Sequence, residues 1–317
     1  MKHKIRIAAP DDVLPALDLA LRVFIEFEAP DYEQGALEKF KSDCIKNNEY
    51  IENYISGKHL MFIALDTYNN IIGIVNERGD GRISMMFVDG KYHRQGIATA
   101  LMQRIVCELK FRGINKITLH SSPYGLPFYK NFGFITTGAE QKLSSFIVTP
   151  MEYTPNEVWD VYDADGKKTG RFHERGRKMT TGDYHIVVHV WKRNSKGEWL
   201  LDRRSPEKNG TWETTGGCVI AGEDSLTGAI RETKEELGID LDPNKGILYH
   251  REARISDDGH TWFEDIWVFD YDEPVESLAF DGSEVCDAMW ATTEQVREMV
   301  DLPYFEEMAK KYSRHVL

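Results

Sequence analysis

Cysteine is scarce: four occur in 317 residues, at positions 44, 107, 218 and 286, and no two form a Cys-x-x-Cys pair. That scatter excludes the usual structural zinc frameworks and fits a reduced, cytoplasmic setting. No apolar run approaches the ~20 residues needed to cross a bilayer. The basic N-terminus, Met1 to Ala9, lacks the long apolar core of a secretory leader, so neither a membrane span nor a signal peptide is expected. Internal repeats and low-complexity segments are missing too. A basic excess is absent: 39 Lys and Arg face 52 Asp and Glu, a net charge of −13, which argues against nucleic acid held by a basic face. What remains, 41% hydrophobic and 29% charged residues, is the balance of a globular chain with room for about two domains.

The charge is unevenly spread. Residues 1–152 carry equal numbers of basic and acidic side chains, so the remainder bears the whole deficit. Two units with different ligands follow from that asymmetry. An acidic site can hold a divalent metal, and the metal can then hold phosphate. The element pattern also changes at Thr154-Pro155-Asn156. We therefore expect a first domain over 1–153, a linker over 154–157 and a second domain over 158–317.

In the first part, residues 4–9 read as a strand. Residues 10–28 read as a helix, with Val13, Leu14, Leu17, Leu21 and Phe24 at helical spacing. A more polar helical stretch runs from Gln34 to Ile55. Strands are expected at His59–Asp66, Ile71–Glu77, Arg82–Val88, Lys116–Ser121 and Ser145–Tyr153, with helices over Gly96–Phe111 and around Phe128 and Tyr129. In the second part, Glu157–Asp163 and Thr169–Glu174 flank the hairpin signal Asp165-Gly166. Strands follow at Tyr184–Lys192, Glu198–Arg203, Ile247–Ile255 and Trp262–Asp270. Helices are expected at Ser225–Leu237 and Thr293–Val300.

Glu232, Glu235 and Glu236 stand at i, i+3 and i+4 of the Ser225–Leu237 helix, so they share one face with neighbouring Cβ atoms ~5–6 Å apart. Three carboxylates so close repel one another, and a hard divalent cation, which takes oxygen ligands, relieves this. A solvated acidic face helped by Arg231 and Lys234 is the plainer alternative. The run from Gly217 to Ile239 resembles the Nudix box: Gly217, five residues, Glu223, seven residues, Arg231-Glu232, Thr233, Lys234, Glu235-Glu236, Leu237, Gly238, Ile239. Thr233 departs from it, standing where an apolar residue is expected.

The resemblance implies that Glu232, Glu235 and Glu236 bind Mg²⁺ or Mn²⁺, which would neutralise a diphosphate and activate water. It gives Arg231 and Glu223 bracing roles and lets the backbone approach closely at Gly216 and Gly217. Segments around the box, Tyr184–Trp191, Leu200–Ser205 and Trp212–Gly217, resemble the group of Nudix proteins close to isopentenyl-diphosphate isomerase. Within that group Glu284 is a candidate ligand or general base, or else an exposed loop acid. Arg203 and Arg204 are candidates to grip phosphate, although one of the pair can be merely solvated. Trp212 either stacks on a base or packs, Gly217 borders the substrate, and His185 and His189 share a strand face as core or supporting positions. The isomerase chemistry itself would need a Cys-x-His segment that Thr214–Cys218 does not supply.

In the first part a strand ends at Val88 and a helix starts after Asp89-Gly90-Lys91-Tyr92-His93-Arg94-Gln95-Gly96-Ile97-Ala98-Thr99. Successive backbone N–H groups at a helix start form an anion site, although small residues at such junctions also serve packing alone. The segment resembles the pyrophosphate loop of GCN5-related N-acetyltransferases (GNAT), Gln/Arg-x-x-Gly-x-Gly/Ala. Gly96 and Ala98 match, and His93 departs from the first position. Pro127–Phe134 resembles that family's Phe-Tyr-x-x-x-Gly-Phe segment. Ser122 stands where many relatives have Asn.

This second resemblance implies acetyl-CoA held by Val88, His93, Arg94, Gln95, Gly96, Ile97, Ala98 and Thr99. It implies Tyr129 as the acid that protonates the departing thiolate, where a packed aromatic is the alternative. Glu77 and Asp89 are candidates by location alone for the base that takes the amine proton. The expected fold class is α/β: a mixed-sheet GNAT domain followed by a Nudix α/β/α sandwich. The expected function is a bifunctional one, diphosphate hydrolysis and acetyl transfer. The expected partners are a small-molecule diphosphate and an amine acetyl acceptor, without nucleic acid or membrane, and with a homodimer left open. A first domain that binds acyl-CoA or an amine only as a sensor is the alternative.

Overall fold

The computed structural model of the chain describes residues 3–33, 35–280 and 282–313, so Gln34, where the polar helical stretch was expected to start, lies outside them. Two compact units emerge. One runs to Val158 and includes Glu174–Gly176; the other comprises Trp159–His173 and the chain from Arg177 on.

In chain order the first unit has β1 (Lys4–Ile7), α1 (Val13–Phe27), α2 (Ala36–Phe40), α3 (Asn48–Ile55), β2 (Met61–Leu65), β3 (Ile71–Glu77) and β4 (Arg82–Val88). There follow α4 (Ile97–Phe111), β5 (Ile117–Ser121), α5 (Leu126–Phe132), β6 (Ile135–Thr136), β7 (Gln141–Leu143) and β8 (Phe146–Tyr153). The strands form one sheet in the order β1-β2-β3-β4-β5-β8-β6, with β7 against β8. Within that path β4 and β5 are parallel, and the pairs on either side of them are antiparallel. Helices cover both faces: Leu101, Ile105 and Val106 of α4 close one core, and Leu17, Ala20 and Phe24 of α1 close the other. With apolar neighbours above and below, β2 is buried at all five positions, which is why it reads as a continuous apolar run rather than an alternating one.

The second unit begins with the hairpin β9 (Val158–Tyr162) and β10 (Lys168–Glu174), turned by Gly166 at φ +74°. Its main sheet is built from β11 (His185–Arg193), β12 (Trp199–Arg204), β13 (Trp212–Glu213), β14 (Thr215–Cys218), β15 (Ile247–Ile255), β16 (Thr261–Asp270) and β17 (Val285–Ala291). Between these strands run α6 (Ser225–Leu237) and, after β17, α7 (Thr293–Met299) and α8 (Phe305–Ser313). Sheet order is β13-β12-β11-β16-β15, with β14 on β11 and β17 on β12. On β11 the period of two sorts Ile186, Val188 and Val190 towards α6 and Trp191 towards α7 and α8. The sheet thus lies between helices, an α/β/α arrangement.

Several of these elements differ from the sequence expectation. β17 and α8 were not expected: β17 alternates only weakly, and α8 carries four charged residues in nine, so its apolar stripe of Phe305, Met308 and Ala309 is short. The stretch expected to be one polar helix divides, because a wider turn over Lys41–Ile45 separates α2 from α3 and Asn47 starts α3 as its cap, accepting from Tyr50 N at 3.0 Å. Among the described residues no helix is long and apolar enough to cross a membrane.

Trp191 is fully buried, packs against Phe305 with ring centres 4.7 Å apart, and donates from Nε1 to Tyr304 Oη at 3.2 Å. Trp191→Ala should therefore destabilise the second unit by about 3–5 kcal/mol, read as a lower denaturation midpoint. Tyr68→Ala, at an 84% exposed position, should leave the midpoint within about 0.5 kcal/mol of wild type.

Candidate active sites

In the first unit, β4 and β5 pair only at Arg82–Thr118 and Ile83–Leu119. Beyond these pairs the strands part, and a cavity of about 690 Å³ opens between residues 84–88 on one side and Leu119, His120 and Ser122 on the other. At one end lies the start of α4, where Gly96 takes φ +80° and ψ 0° as the capping residue. A Cβ on Gly96 would meet no atom within 4 Å, so the approach to the first-turn N–H groups is open. Arg94, itself at φ +59°, lines the cavity with Gly96, Ile97, Ala98 and Thr99. Backbone donors at the positive end of a 15-residue helix, an open glycine and an adjacent guanidinium suit a pyrophosphate.

Two expected contributors to that loop form hydrogen bonds within the chain, His93 while lining the cavity together with Val88. His93 Nε2 donates to Val88 O at 2.8 Å and its ring packs on Phe27, so the imidazole ties the loop to β4, and Val88's carbonyl is occupied. Gln95 Nε2 donates to Lys91 O at 3.1 Å and lines a separate, smaller cavity.

At the other end of the large cavity, α5 delivers Tyr129, which is 8% exposed. Burial, followed by the nearby Glu28 carboxylate and Tyr32, holds its phenol above the ordinary range, so it keeps its proton at neutral pH. Gly125 makes this packing possible: a Cβ there would sit 3.1 Å from the Tyr129 ring and 3.3 Å from Ser122 Oγ. Ser122 Oγ accepts from Gly125 N at 3.1 Å and donates to Glu28 Oε1 at 3.0 Å. Glu28 was missed in the sequence because it follows the last turn of α1, where it reads as a solvated helix-end acid. Glu77 and Asp89, the acids named by location, are bound into turns instead. Glu77 accepts from Gly81 N at 2.7 Å, and Asp89 from Lys91 N at 3.1 Å.

In the second unit the carboxylate face of α6 meets β14. A Cβ on Gly217 would lie 2.3–2.6 Å from the Glu232 carboxylate, so glycine at this point is what admits that side chain to the sheet. Gly216 is held as tightly, its Cβ direction meeting Val188 O at 2.5 Å. Arg231 donates to Glu223 at 2.9 and 3.2 Å, to Glu232 and Glu235 at 2.9 Å each, and to Cys218 O at 3.0 Å. It fastens the loop before α6 to the helix and neutralises part of the acidic face. Thr233, the departure from the box, is fully buried, and its hydroxyl donates to Ala229 O at 2.8 Å. The polar atom is satisfied within the helix, and the methyl group packs as an apolar residue would.

Glu236 faces inward over a buried polar set that the sequence reading did not single out. Lys192 and Asp202 are both fully buried. Lys192 Nζ donates to Thr215 Oγ1, which in turn donates to Asp202 Oδ2 at 2.6 Å. Asp202 Oδ1 is buried without a hydrogen-bond partner. Burial, then the charges of Asp202 and Glu232, push the Glu236 carboxyl up to about 8, with Lys192 opposing. The period of two was the available signal: Lys192 follows Ile186, Val188 and Val190 on one face of β11, and Asp202 follows Leu200 on β12.

The remaining candidates are divided between the two sheet faces. Arg204 Nη1 donates to Glu213 Oε1 at 2.8 Å. Burial opposes its charge, and Glu213, Glu236 and Glu284 outweigh that effect, so Arg204 stands among the site's acids. Glu284 precedes β17 and is paired with Lys208. Arg203 and Trp212 are cross-strand partners on the opposite face, with the guanidinium 6.0 Å from the ring centre and Trp212 packed against the α8 side of the core. The structure therefore does not bring these two to the carboxylates; alternation along β12 sends Arg204 in and Arg203 away. His189 Nδ1 meets Tyr304 Oη at 2.6 Å, and His185 stacks on Trp159 at 4.2 Å, both away from α6.

Among the described residues no three of His, Cys, Asp or Glu stand in a ligating group, since Arg231 engages Glu232 and Glu235. The donor set nevertheless suits a hard divalent cation: carboxylate oxygens in excess, one carboxyl raised by burial and by its acidic neighbours, and an unpartnered buried aspartate oxygen. A cation would release the glutamates from Arg231 and displace the Glu236 proton.

The family model of the acetyltransferase (GNAT) domain matches residues 28–155, and that of the NUDIX domain matches residues 183–314. An uncharacterized Nudix hydrolase of Listeria monocytogenes is 33% identical over 157 residues, covering 47% of this chain and 90% of that one. Isopentenyl-diphosphate Delta-isomerase of Escherichia coli is 24% identical over 143 residues, covering 44% and 79%. A crystal structure of a GCN5-related N-acetyltransferase from Rhodopseudomonas palustris aligns with 19% identity and a TM-score of 0.43, covering 49% of this chain and 96% of that one.

Glu236 has a raised carboxyl, so its stabilising contribution is complete below its ordinary value of 4.5 and is lost as pH rises through about 8. Metal-free wild type should lose roughly 2–4 kcal/mol of stability over that window relative to Glu236→Gln. Thermal melts from pH 5 to 9 read the difference, and Mn²⁺ should abolish the advantage of the variant. Gly217→Ala should weaken Mn²⁺ binding about tenfold or more, because its methyl displaces Glu232; calorimetric titration measures it.

Proposed function

This chain belongs to the Nudix hydrolases through its second half and carries a GNAT acetyltransferase domain in its first, and we propose that it is a bifunctional enzyme with one reaction in each. The second unit hydrolyses a diphosphate joined to another group, such as a nucleoside, with Mg²⁺ or Mn²⁺. The first transfers the acetyl group of acetyl-CoA to an amine.

What carries the hydrolase reading is Gly217, whose missing side chain gives Glu232 its place against the sheet beside Glu236. Glu232, Glu235 and Glu236 would hold the cation. Bound there, it supplies neutralisation of the diphosphate and a more acidic water. Until then Arg231, paired with both Glu232 and Glu235, offsets their repulsion. Arg204, charged at any working pH, stands where it can meet a phosphate oxygen among Glu213, Glu236 and Glu284. Glu284, which precedes β17 and is paired with Lys208, would take a proton from water once Lys208 lets go of it.

The acetyltransferase reading rests on the one cavity that joins the open start of α4 to Tyr129. The α4 amides would hold the CoA pyrophosphate, and Tyr129, kept protonated, would donate to the departing thiolate.

Hydrolysis of a panel of diphosphate-linked nucleosides and of CoA, with Mg²⁺ and with Mn²⁺, tests the hydrolase. Wild type should release phosphate-containing products from at least one class, and Glu235→Gln should lower kcat by roughly 10²-fold or more. A wild type inactive on the whole panel with either metal would count against hydrolysis of this substrate class.

A further inference from the structure

We propose that Glu28 is the group that binds the ammonium of the acetyl acceptor and takes its proton, that Ser122 holds Glu28 in position, and that the acceptor is an amine carried on an apolar or aromatic body. The inference rests on the acetyl-transfer reading and adds to it the acceptor's subsite.

Glu28, Ser122 and Tyr129 line the same cavity as the start of α4. The Ser122 hydroxyl donates to Glu28 Oε1 at 3.0 Å while accepting from Gly125 N at 3.1 Å. Its orientation is therefore set from both sides. Glu28 lies close enough to Tyr129 to be the leading charged group acting on the phenol. An acid and a base that face one gap are the pair that amine acylation requires, one proton leaving the nucleophile and one reaching the leaving group. Asp43, another acid of the cavity, is engaged by Lys39 at 2.8 Å, and the two acids suggested by position are held in turns.

Around Glu28 the walls are aromatic. Phe24 stacks on Phe40 at 4.3 Å, and Tyr32 meets Phe146 edge-on at 5.2 Å, all four lining the cavity. A carboxylate at the foot of aromatic walls recognises an alkylammonium whose body is apolar: the charge pairs with Glu28, the rings cover the body, and cation–π attraction adds to both.

In the transfer step Glu28 takes one proton from R–NH₃⁺ and releases it to water. The amine nitrogen forms a bond to the acetyl carbon, and the carbon–sulfur bond breaks. Tyr129 gives its proton to the thiolate and recovers the second proton lost by the nitrogen. The products are the acetamide, the CoA thiol and one H⁺. Ser122, at the position where the resemblance led to an expectation of Asn, acquires a reason: a short hydroxyl reaches Glu28 while leaving room beside Gly125.

The test uses the full chain with 2-phenylethylamine, its neutral counterpart 2-phenylethanol, and a lysine-containing peptide. Wild type should bind the amine and not the alcohol by calorimetry in the absence of acetyl-CoA. Glu28→Gln, which keeps the shape and the acceptor for Ser122, should weaken amine binding about tenfold or more and lower kcat for acetylation roughly 10²-fold or more, with acetyl-CoA affinity unchanged. Ser122→Ala should lower kcat in wild type and add nothing in the Glu28→Gln background, and Glu28→Asp should recover part of the rate. Acetylation of the peptide lysine instead of the free amine, with the same dependence on Glu28, keeps the role of Glu28 and overturns the apolar or aromatic body of the acceptor. Acetylation by wild type that Glu28→Gln leaves intact, with amine affinity unchanged, overturns the role of Glu28 while acetyl transfer stands. Binding of acetyl-CoA without acetylation of any probe overturns acetyl transfer and this inference together.

Discussion

Repulsion among the carboxylates of α6 is the constraint to which the second unit answers. Glu232, Glu235 and Glu236 occupy little more than one turn, and without countercharge the helix would be weakened by its own sequence. Arg231 supplies part of the answer with five hydrogen bonds spread over Glu223, Glu232, Glu235 and a loop carbonyl. It cannot supply all of it, because Glu236 lies on the inner side over Lys192 and Asp202, and its proton is held well into the neutral range. An acidic face that is only partly neutralised remains ready for a divalent cation, at a cost in stability that a well-satisfied helix would not carry.

The buried Lys192–Thr215–Asp202 set extends that constraint into the core. Burial alone pushes Lys192 down and Asp202 up, and each opposes the other's shift. The threonine hydroxyl between them accepts from one and donates to the other, so neither charge is left without a partner in an apolar interior. One aspartate oxygen stays unpartnered, in the same set whose charge helps to keep the Glu236 carboxyl protonated. This set spans three strands, Lys192 on β11, Thr215 on β14 and Asp202 on β12, and β11 and β12 themselves pair only at Arg193–Trp199.

Much of this was legible in the sequence where the signal is local. The boundaries of α6 and β15 agree with expectation to the residue, because the first has a capping Asp224 and a terminal Gly238 and the second is bounded by turns. The i, i+3, i+4 glutamates and the glycine pair are also local facts. The partition of Arg203 from Arg204 was a period-of-two question that neighbouring positions could have settled. What local pattern could not reveal is anything that depends on a distant partner. Glu28 meets Ser122 across 94 residues, His93 reaches back to Val88 O while lining the cavity, and Lys192 meets Asp202 only through Thr215 on a third strand. A helix-end acid, a loop histidine and a strand lysine each have an ordinary surface interpretation until the fold brings the partner.

In the reactions proposed, the two units would meet phosphate by opposite physical means, one candidate site being built from backbone and the other from side chains. At the start of α4 the protein offers the anion its own N–H groups, so the essential residue is the one with nothing on it: Gly96, with a left-handed backbone and empty space where a Cβ would project. At α6 the protein offers carboxylates, which repel phosphate, so an anion can be held there only once a cation has reversed the local charge. The neutral first half and strongly acidic second half accord with this difference. A backbone site needs no excess of charge, whereas a cation-bridged one must carry enough negative charge to hold the metal and enough guanidinium, here Arg231 and Arg204, to keep that charge from tearing the loop away from its helix.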